Sequence, residues 1–459
     1  MEQWEFDSYG YVERFISKAG MAQKVAEKWT QEEADKVVRA ICRAVYDNAE
    51  ELAKLAVEET GMGNVEDKIA KINSKAPMIW NSVKKQKTVG ILKRDEEKGL
   101  IEIAKPVGIV GALTPATNPV VTLMSNAMFA LKGRNAIVFS AHHTAMKTGA
   151  RTVELMRQAL AAEGCKEDMI QILDRPDRNY SKMLMQRADL VLATGGSAMV
   201  DAAHRSGRPA IGVGSGNVQC IIDTDANLEE AVPAILKGRA FDNGMLCTAE
   251  QSVFVPEELV PEFLRIAKAN GGYHVWSTIE GELLRQYLFK DGKFNQEASG
   301  KDAAWITEKL MLKTWPGSKV FLVPTRGVGP LDLMSREKMC PVLAFTPYNG
   351  FSHAVSMAES NLGVGGKGHS VSLWSNTPEH VEEAALKLAA SRFVVNQCCA
   401  LTAGGSFQNG LAPSNTLGCG TWGRNSISEN LDCKHLINVV RVAYPLNKET
   451  PSEEEIWSL

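Results

Sequence analysis

Short apolar runs rich in β-branched residues recur through this chain at the spacing of intervening helices, and that alternation restricts it to a layered α/β architecture. From IVGAL onward the runs NAIVFS, IQILD, LVLATGG and QCIID are separated by stretches of helical periodicity such as AMKTGARTVELMRQALAAEG. This rhythm predicts a doubly wound parallel sheet with helices on both faces. It restarts after Cys247 with SVFVP, KVFLVP, PVLAFTPY, SVSLWS and FVVNQ, so a second α/β domain is expected. Ahead of both, TQEEADKVVRAICRAVYDNAEELAKLAVEETGMG carries apolar residues three and four apart. It reads as an amphipathic helix pair, opened by a Thr30/Glu33 capping box and closed by Gly61 and Gly63. The next segment, KTVGILKRDEEKGLIEIAKPVGIVGAL, holds two β-branched runs around a charged turn, which predicts a hairpin over about 86–104. Its exposed, charged character suits an arm that pairs with another subunit. The opening FDSYGYVERFISKAGMAQKVAEKW is amphipathic too. No flexible linker follows it, so it reads as a first domain helix rather than a targeting peptide.

At 459 residues, 44% hydrophobic and 23% charged, the chain can bury well over half of its unfolded surface. Its 51 basic and 54 acidic residues leave a net charge of −3, which argues against nucleic acid or an anionic membrane as partner. The N-terminus MEQWEFDSYG has neither a basic region nor an apolar core, so no secretory signal is expected. No uninterrupted apolar run is long enough for a spanning helix. Nine cysteines at irregular spacing, without a CxxC pair, argue against a disulfide framework or a zinc site and for a reducing cytosol; no metal is expected.

Three residues stand out chemically. Cys247, in FDNGMLCTAEQSVFV, lies where a turn-rich stretch gives way to regular structure, a place for an exposed nucleophile. A free thiol ionises near 8.5 and needs a cation or backbone dipoles to become an efficient thiolate. Asn118, in LTPATNPVV, precedes a proline that biases it to an extended conformation. Its amide can serve a turn, or it can donate to an oxyanion. His369, in NLGVGGKGHSVSLWS, follows glycines at 363, 365, 366 and 368, a permissive loop able to approach a ligand. With its ordinary pKa near 6.5 it could carry a proton, or it could be structural. Elsewhere a glycine pair, Gly195 and Gly196, follows the run LVLAT. Such a pair makes a tight turn, and it can also aim backbone N–H groups at a phosphate.

These motifs succeed one another as TPATNP, ALKGRN, TGG, GSGN, FDNGMLCTAEQS, EKMCPVL, TLGCGTWGRNSISEN and KHLIN. The series resembles the aldehyde dehydrogenase superfamily over almost the whole chain, and within it the CoA-acylating branch. The nearest likeness is to CoA-dependent succinate semialdehyde dehydrogenases, with acylating sulfoacetaldehyde dehydrogenases as near relatives. The resemblance implies an aldehyde dehydrogenase-like fold. A Rossmann-type cofactor domain would span 1–242, a catalytic α/β domain 243–425, and a C-terminal oligomerisation strand and tail 426–459. It implies Cys247 as nucleophile, Asn118 as oxyanion donor and His369 as the group that handles the proton of coenzyme A. NAD or NADP would be held by Thr114, Pro115, Ser140, His142, Thr194, Gly195, Gly196 and Glu337. GVGSGNV stands where hydrolytic members carry a glutamate-leucine-glycine-glycine motif, and glycine and valine replace the water-activating glutamate. Coenzyme A is therefore the expected acyl acceptor. The serine of GSGN departs from the proline usual in the branch. No alcohol dehydrogenase domain follows, which implies a single-function chain, cytoplasmic and a homodimer or homotetramer. Both aldehydes end in an anion; Arg424 is the first candidate to read it, with Arg392 and Lys338 behind. A non-acylating dehydrogenase, a glutamyl-phosphate reductase-like enzyme and acetaldehyde or propionaldehyde as substrate are the competing readings.

Overall fold

The structure is a computed structural model, and it describes residues 3–446 and 448–459. Two parallel sheets dominate it. Five strands lie in the order Ile170–Ile172, Ala136–Ala141, Ile109–Thr114, Leu190–Thr194, Ala210–Val213. Seven more lie in the order Gly272–His274, Val320–Pro324, Val342–Tyr348, Glu250–Pro256, Val218–Ile222, Gly368–Trp374, Ala390–Val395. Every pairing in both sheets is parallel. Central strands such as Glu250–Pro256 are buried throughout, the pattern demanded when helices cover both faces.

One strand departs from the sequence grouping. QCIID reads like the strands before it, but Val218–Ile222 pairs with Glu250–Pro256 and Gly368–Trp374 in the middle of the seven-stranded sheet. The chain crosses between the sheets in the short loop after Val213. Apolar pattern marks a buried strand without saying which sheet takes it; only hydrogen-bond register does that.

The Thr30/Glu33 capping box is formed, Gln31–Asp47 and Ala49–Thr60 are helices, and Gly61 ends the second in the left-handed conformation at φ 64°. Gly90–Asp95 and Leu100–Pro106 form the antiparallel hairpin. Ile437–Ala443 adds to Leu100–Pro106 as a third strand. Among the described residues no helix is long and apolar enough to cross a membrane.

Candidate active site

The five-stranded sheet begins in its middle. The chain moves outward from Ile109–Thr114 through Ala136–Ala141 to Ile170–Ile172, then returns to add Leu190–Thr194 on the other side. That reversal makes a crevice at the carboxyl ends of the strands, the usual place for a nucleotide in such a sheet. Thr114 and Thr194 end two of the strands around it and Ser140 is the last residue but one of a third, with Pro115, His142, Gly195 and Gly196 just beyond the strand ends. The fit to a dinucleotide is good. Thr114 Oγ1 is buried without a hydrogen-bond partner. Gly196 caps the helix Ser197–His204 without a side-chain bond to the first N–H groups. A Cβ on Gly196 would meet nothing within 4 Å, so the approach is open. Ser140 is paired with Ser181 Oγ at 2.8 Å, and His142 Nδ1 with Thr144 Oγ1 at 2.9 Å.

The second cluster sits at the opposite, amino ends of the seven-stranded sheet. Cys247 precedes Glu250–Pro256, Gly216 precedes Val218–Ile222, Glu337 precedes Val342–Tyr348, and His369 and Arg392 lie at the starts of their strands. Cys247 is presented by an unusual turn. Asp242, Asn243 and Gly244 are consecutively left-handed, with φ of 49°, 55° and 74°. Asp, Asn and Gly are the residues that bear that conformation at least cost. Asn243 Nδ2 donates to Gly300 O at 2.8 Å, and Thr248 Oγ1 to Ala400 O at 2.7 Å. The loop that leaves the five-stranded sheet passes Cys247 as glycine backbone at Gly216. A Cβ on Gly216 would stand 2.0 Å from Cys247 O. Gly216 N donates to Glu337 Oε1 at 3.1 Å.

Cys247, Asn118, Lys71 and Lys75 line one cavity of about 990 Å³, shared with Ser74, Lys237 and Asn415. Helix Val65–Val83 supplies the lysines; Asn64 caps it, accepting from Asp67 N at 2.8 Å. Spacings of three and four residues put Lys68, Lys71 and Lys75 on one face. Lys71 Nζ donates to Asn118 Oδ1 at 2.8 Å and to Asp242 Oδ2 at 2.5 Å, and Lys68 Nζ to the same Asp242 oxygen at 3.2 Å. Burial opposes ionisation of Asp242, but the two ammonium groups outweigh it and hold the carboxyl below its usual range. Lys75 Nζ donates to Gly404 O at 2.9 Å and Gly405 O at 3.5 Å. Among the described residues no carboxylate pairs with it. Burial, with Lys71 adding to it and Cys247 opposing it, pushes Lys75 down to about 8.

Several expected residues are placed differently from their assigned tasks. Arg424 closes a 3₁₀ turn in the left-handed conformation, and its side chain is 81% exposed, 3.8 Å from Asp201 Oδ1. It does not line the cavity. Arg392 is buried, its guanidinium spent on Ser370 Oγ at 3.2 Å, Asn430 Oδ1 at 3.1 Å and His369 O at 2.8 Å. Burial raises the Cys247 and Cys419 thiols, and the Arg392 charge offsets part of that rise. Lys338 is likewise sealed in, bonded to Met334 O and Arg336 O. His369 is fully buried, with Nδ1 3.1 Å from Ser370 Oγ and Nε2 unpartnered. Burial and then Arg392 push it to about 3, so the ring is neutral rather than poised near 6.5. Burial, with Glu337 next, pushes the Cys247 thiol up to about 12, and burial lifts Glu337 itself to about 7. Lys71, Lys75 and Asp242 are the residues sequence reasoning passed over; the three-four spacing of the lysines was the available signal.

The loop after the first strand of the five-stranded sheet brings Asn118 into the cavity that Cys247 enters from the seven-stranded sheet. The family model for the aldehyde dehydrogenase family matches residues 7–271, and the chain belongs to that family. It is 48% identical to a succinate-semialdehyde dehydrogenase (acetylating) of Clostridium kluyveri, over 97% of this chain and 98% of the relative. The structure of an acetylating aldehyde dehydrogenase from Geobacillus thermoglucosidasius superposes with a TM-score of 0.94 at 37% identity, covering 99% of this chain and 100% of that one. A propionaldehyde dehydrogenase of Rhodopseudomonas palustris, solved with bound propionyl-CoA, gives 0.85 at 25% identity, with 94% of both chains covered.

Proposed function

We propose that this chain is a CoA-acylating aldehyde dehydrogenase, reversibly converting a small anionic aldehyde and coenzyme A to an acyl-CoA, with succinate semialdehyde as its substrate. The observation that carries the reading is the contact between Gly216 and Cys247: the segment that would bring a water-activating carboxylate passes the nucleophile as glycine backbone. Cys247 adds to the aldehyde carbonyl, and the Asn118 amide donates to the resulting oxyanion. Thr114, Ser140 and Gly196 at the strand ends would hold NAD or NADP, which would supply the hydride acceptor. Cys247 is then left as a thioester. The coenzyme A sulfur attacks its carbonyl carbon, the bond to Cys247 breaks and the thiol is regenerated, with one proton released overall. His369, neutral and with Nε2 free, can accept a hydrogen bond from an incoming thiol but stabilises no imidazolium. Arg392 steadies the sulfur anion from behind. Lys75 lines the cavity and Arg424 does not, which supports Lys75 as the cation that would read the far anionic end of the aldehyde. The three-stranded hairpin sheet, with Val440, Tyr444 and Leu446 exposed, suits a homodimer or homotetramer contact. Nine free cysteines suit a reducing cytoplasm.

The test is cofactor reduction with and without coenzyme A. The full enzyme should give at most one equivalent of reduced cofactor per Cys247 when coenzyme A is omitted and sustained turnover when it is present. Cys247→Ala should give neither while still binding the dinucleotide. Sustained turnover without coenzyme A at a comparable rate would overturn the acylating reading.

A further inference from the structure

We infer that Lys71 is a positioning residue, a single ammonium that clamps the oxyanion-binding amide of Asn118 to the turn presenting Cys247. The inference rests on the reading of Asn118 given above. An ammonium only donates, so the amide oxygen of Asn118 has to face Lys71 and the NH₂ group has to face away. In that orientation Nδ2 has Thr117 Oγ1 as its partner at 3.5 Å, too long to hold it strongly. Its N–H groups are left to the cavity shared with Cys247. Turned over, the amide would offer its carbonyl oxygen to a developing oxyanion and repel it. Lys71 forbids that state.

The other end of the clamp is Asp242, fully buried and the first of the three left-handed residues leading to Cys247. Its carboxylate also holds Lys68 Nζ at 3.2 Å and Asn64 N at 3.3 Å, and its own N–H donates to Asp67 Oδ2 at 2.8 Å. The turn therefore has anchors besides Lys71, whereas the Asn118 oxygen is held by Lys71 alone among the described residues. Gly63, left-handed at φ 73°, completes the fit, since a Cβ there would stand 2.0 Å from Asp242 Oδ1. Removing the ammonium should thus free the amide more than the nucleophile.

The experiment is a double-mutant cycle on the full enzyme. Lys71→Met and Lys71→Gln are made alone and with Asn118→Ala, and the burst of reduced cofactor is followed without coenzyme A at saturating dinucleotide. Each single Lys71 change should slow the burst about 10- to 100-fold with little change in aldehyde KM, because the lost quantity is orientation in the transition state. On the Asn118→Ala background the same change should cost no more than about twofold. Losses that multiply in the double variants would overturn the proposal, as would an unchanged burst in Lys71→Met while Asn118→Ala is crippled. An unchanged burst in Asn118→Ala would instead remove the oxyanion reading beneath it. Loss of cooperative melting in both Lys71 variants would also overturn it, since Lys71 would then hold the fold and not the amide.

Discussion

Replacing Lys75 by methionine should abolish the preference for an anionic aldehyde and spare a neutral one. The ammonium lines the cavity that holds Cys247, spends two N–H groups on Gly404 O and Gly405 O, and has no carboxylate partner among the described residues. A third N–H remains for a ligand. One charge-assisted hydrogen bond is worth about 1.5–3 kcal/mol. Its loss should lower kcat/KM for succinate semialdehyde about 10- to 150-fold and leave propionaldehyde nearly unchanged. Methionine has similar reach but leaves Gly404 O without the Lys75 donor, so stability, followed by melting temperature, should fall by no more than the loss of one hydrogen bond, roughly 1 kcal/mol.

The same reasoning fixes a pH dependence. The folded-state value of Lys75 is depressed from 10.5 to about 8, so the protonated form that reads the anion is lost as pH rises through about 8. Ionisation of Cys247 and of coenzyme A affects both aldehydes equally, and the ratio of the two kcat/KM values cancels it. That ratio should fall above pH 8 in the wild type, by up to about tenfold per unit, and be flat in Lys75→Met. Arg424→Gly, whose side chain lies outside the cavity, should leave the ratio as it is. Equal losses for both aldehydes in Lys75→Met, or a wild-type ratio that stays flat through pH 8, would refute the assignment. So would a ratio that collapses in Arg424→Gly.

Gly216→Ala should cost about 1–3 kcal/mol of stability and most of the aldehyde oxidation, because the added Cβ would stand 2.0 Å from Cys247 O. Gly214→Ala, which meets nothing within 4 Å, should be spared; equal melting temperatures and rates for the pair would show that the loop yields freely. His369→Gln should slow acyl transfer to coenzyme A more than the burst, and it should also flatten the acid limb of melting temperature against pH. Folded His369 titrates near 3 while the unfolded chain takes up the proton at its ordinary 6.5. The unfolded state therefore binds more protons between those values, and stability falls as pH drops through that window. An acid limb of the same slope in wild type and variant would contradict the buried, neutral ring.

Cys247 and Asn118 stand out in the sequence for a local reason, and in the fold they line one cavity. A cysteine after Phe-Asp-Asn-Gly and an amide before a proline can be picked out without knowing what surrounds them. Lys71 and Lys75 cannot, since on an amphipathic helix a lysine face reads as solvated. It becomes a site only when Val65–Val83 docks against the Asp242 turn, a contact between residues more than 170 positions apart. Arg424 carries a charge that is visible in sequence, but its exposure beside Asp201 and its position outside the cavity lining are not. His369 was found, while its titration was not, because the residues that desolvate it and the Arg392 charge come from other strands.

The missing water-activating glutamate is also more than a substitution. Gly212, which opens the GVGSGNV stretch, packs against helix Ser197–His204. A Cβ there would stand 2.5 Å from Val200 Cγ1 and 3.0 Å from His204 Nε2. Four residues on, Gly216 is pressed against the carbonyl of the nucleophile. The crossing between the two sheets is thus closed to side chains at both ends, first by the helix that follows the nucleotide crevice and then by Cys247. A carboxylate could be restored at 212 or 216 only by moving one of those elements, and either movement would disturb the cofactor or the thiol that the carboxylate would have to serve. Of the three glycines in this crossing only Gly214 has room for a side chain, so packing alone holds Gly212 and Gly216 as glycine.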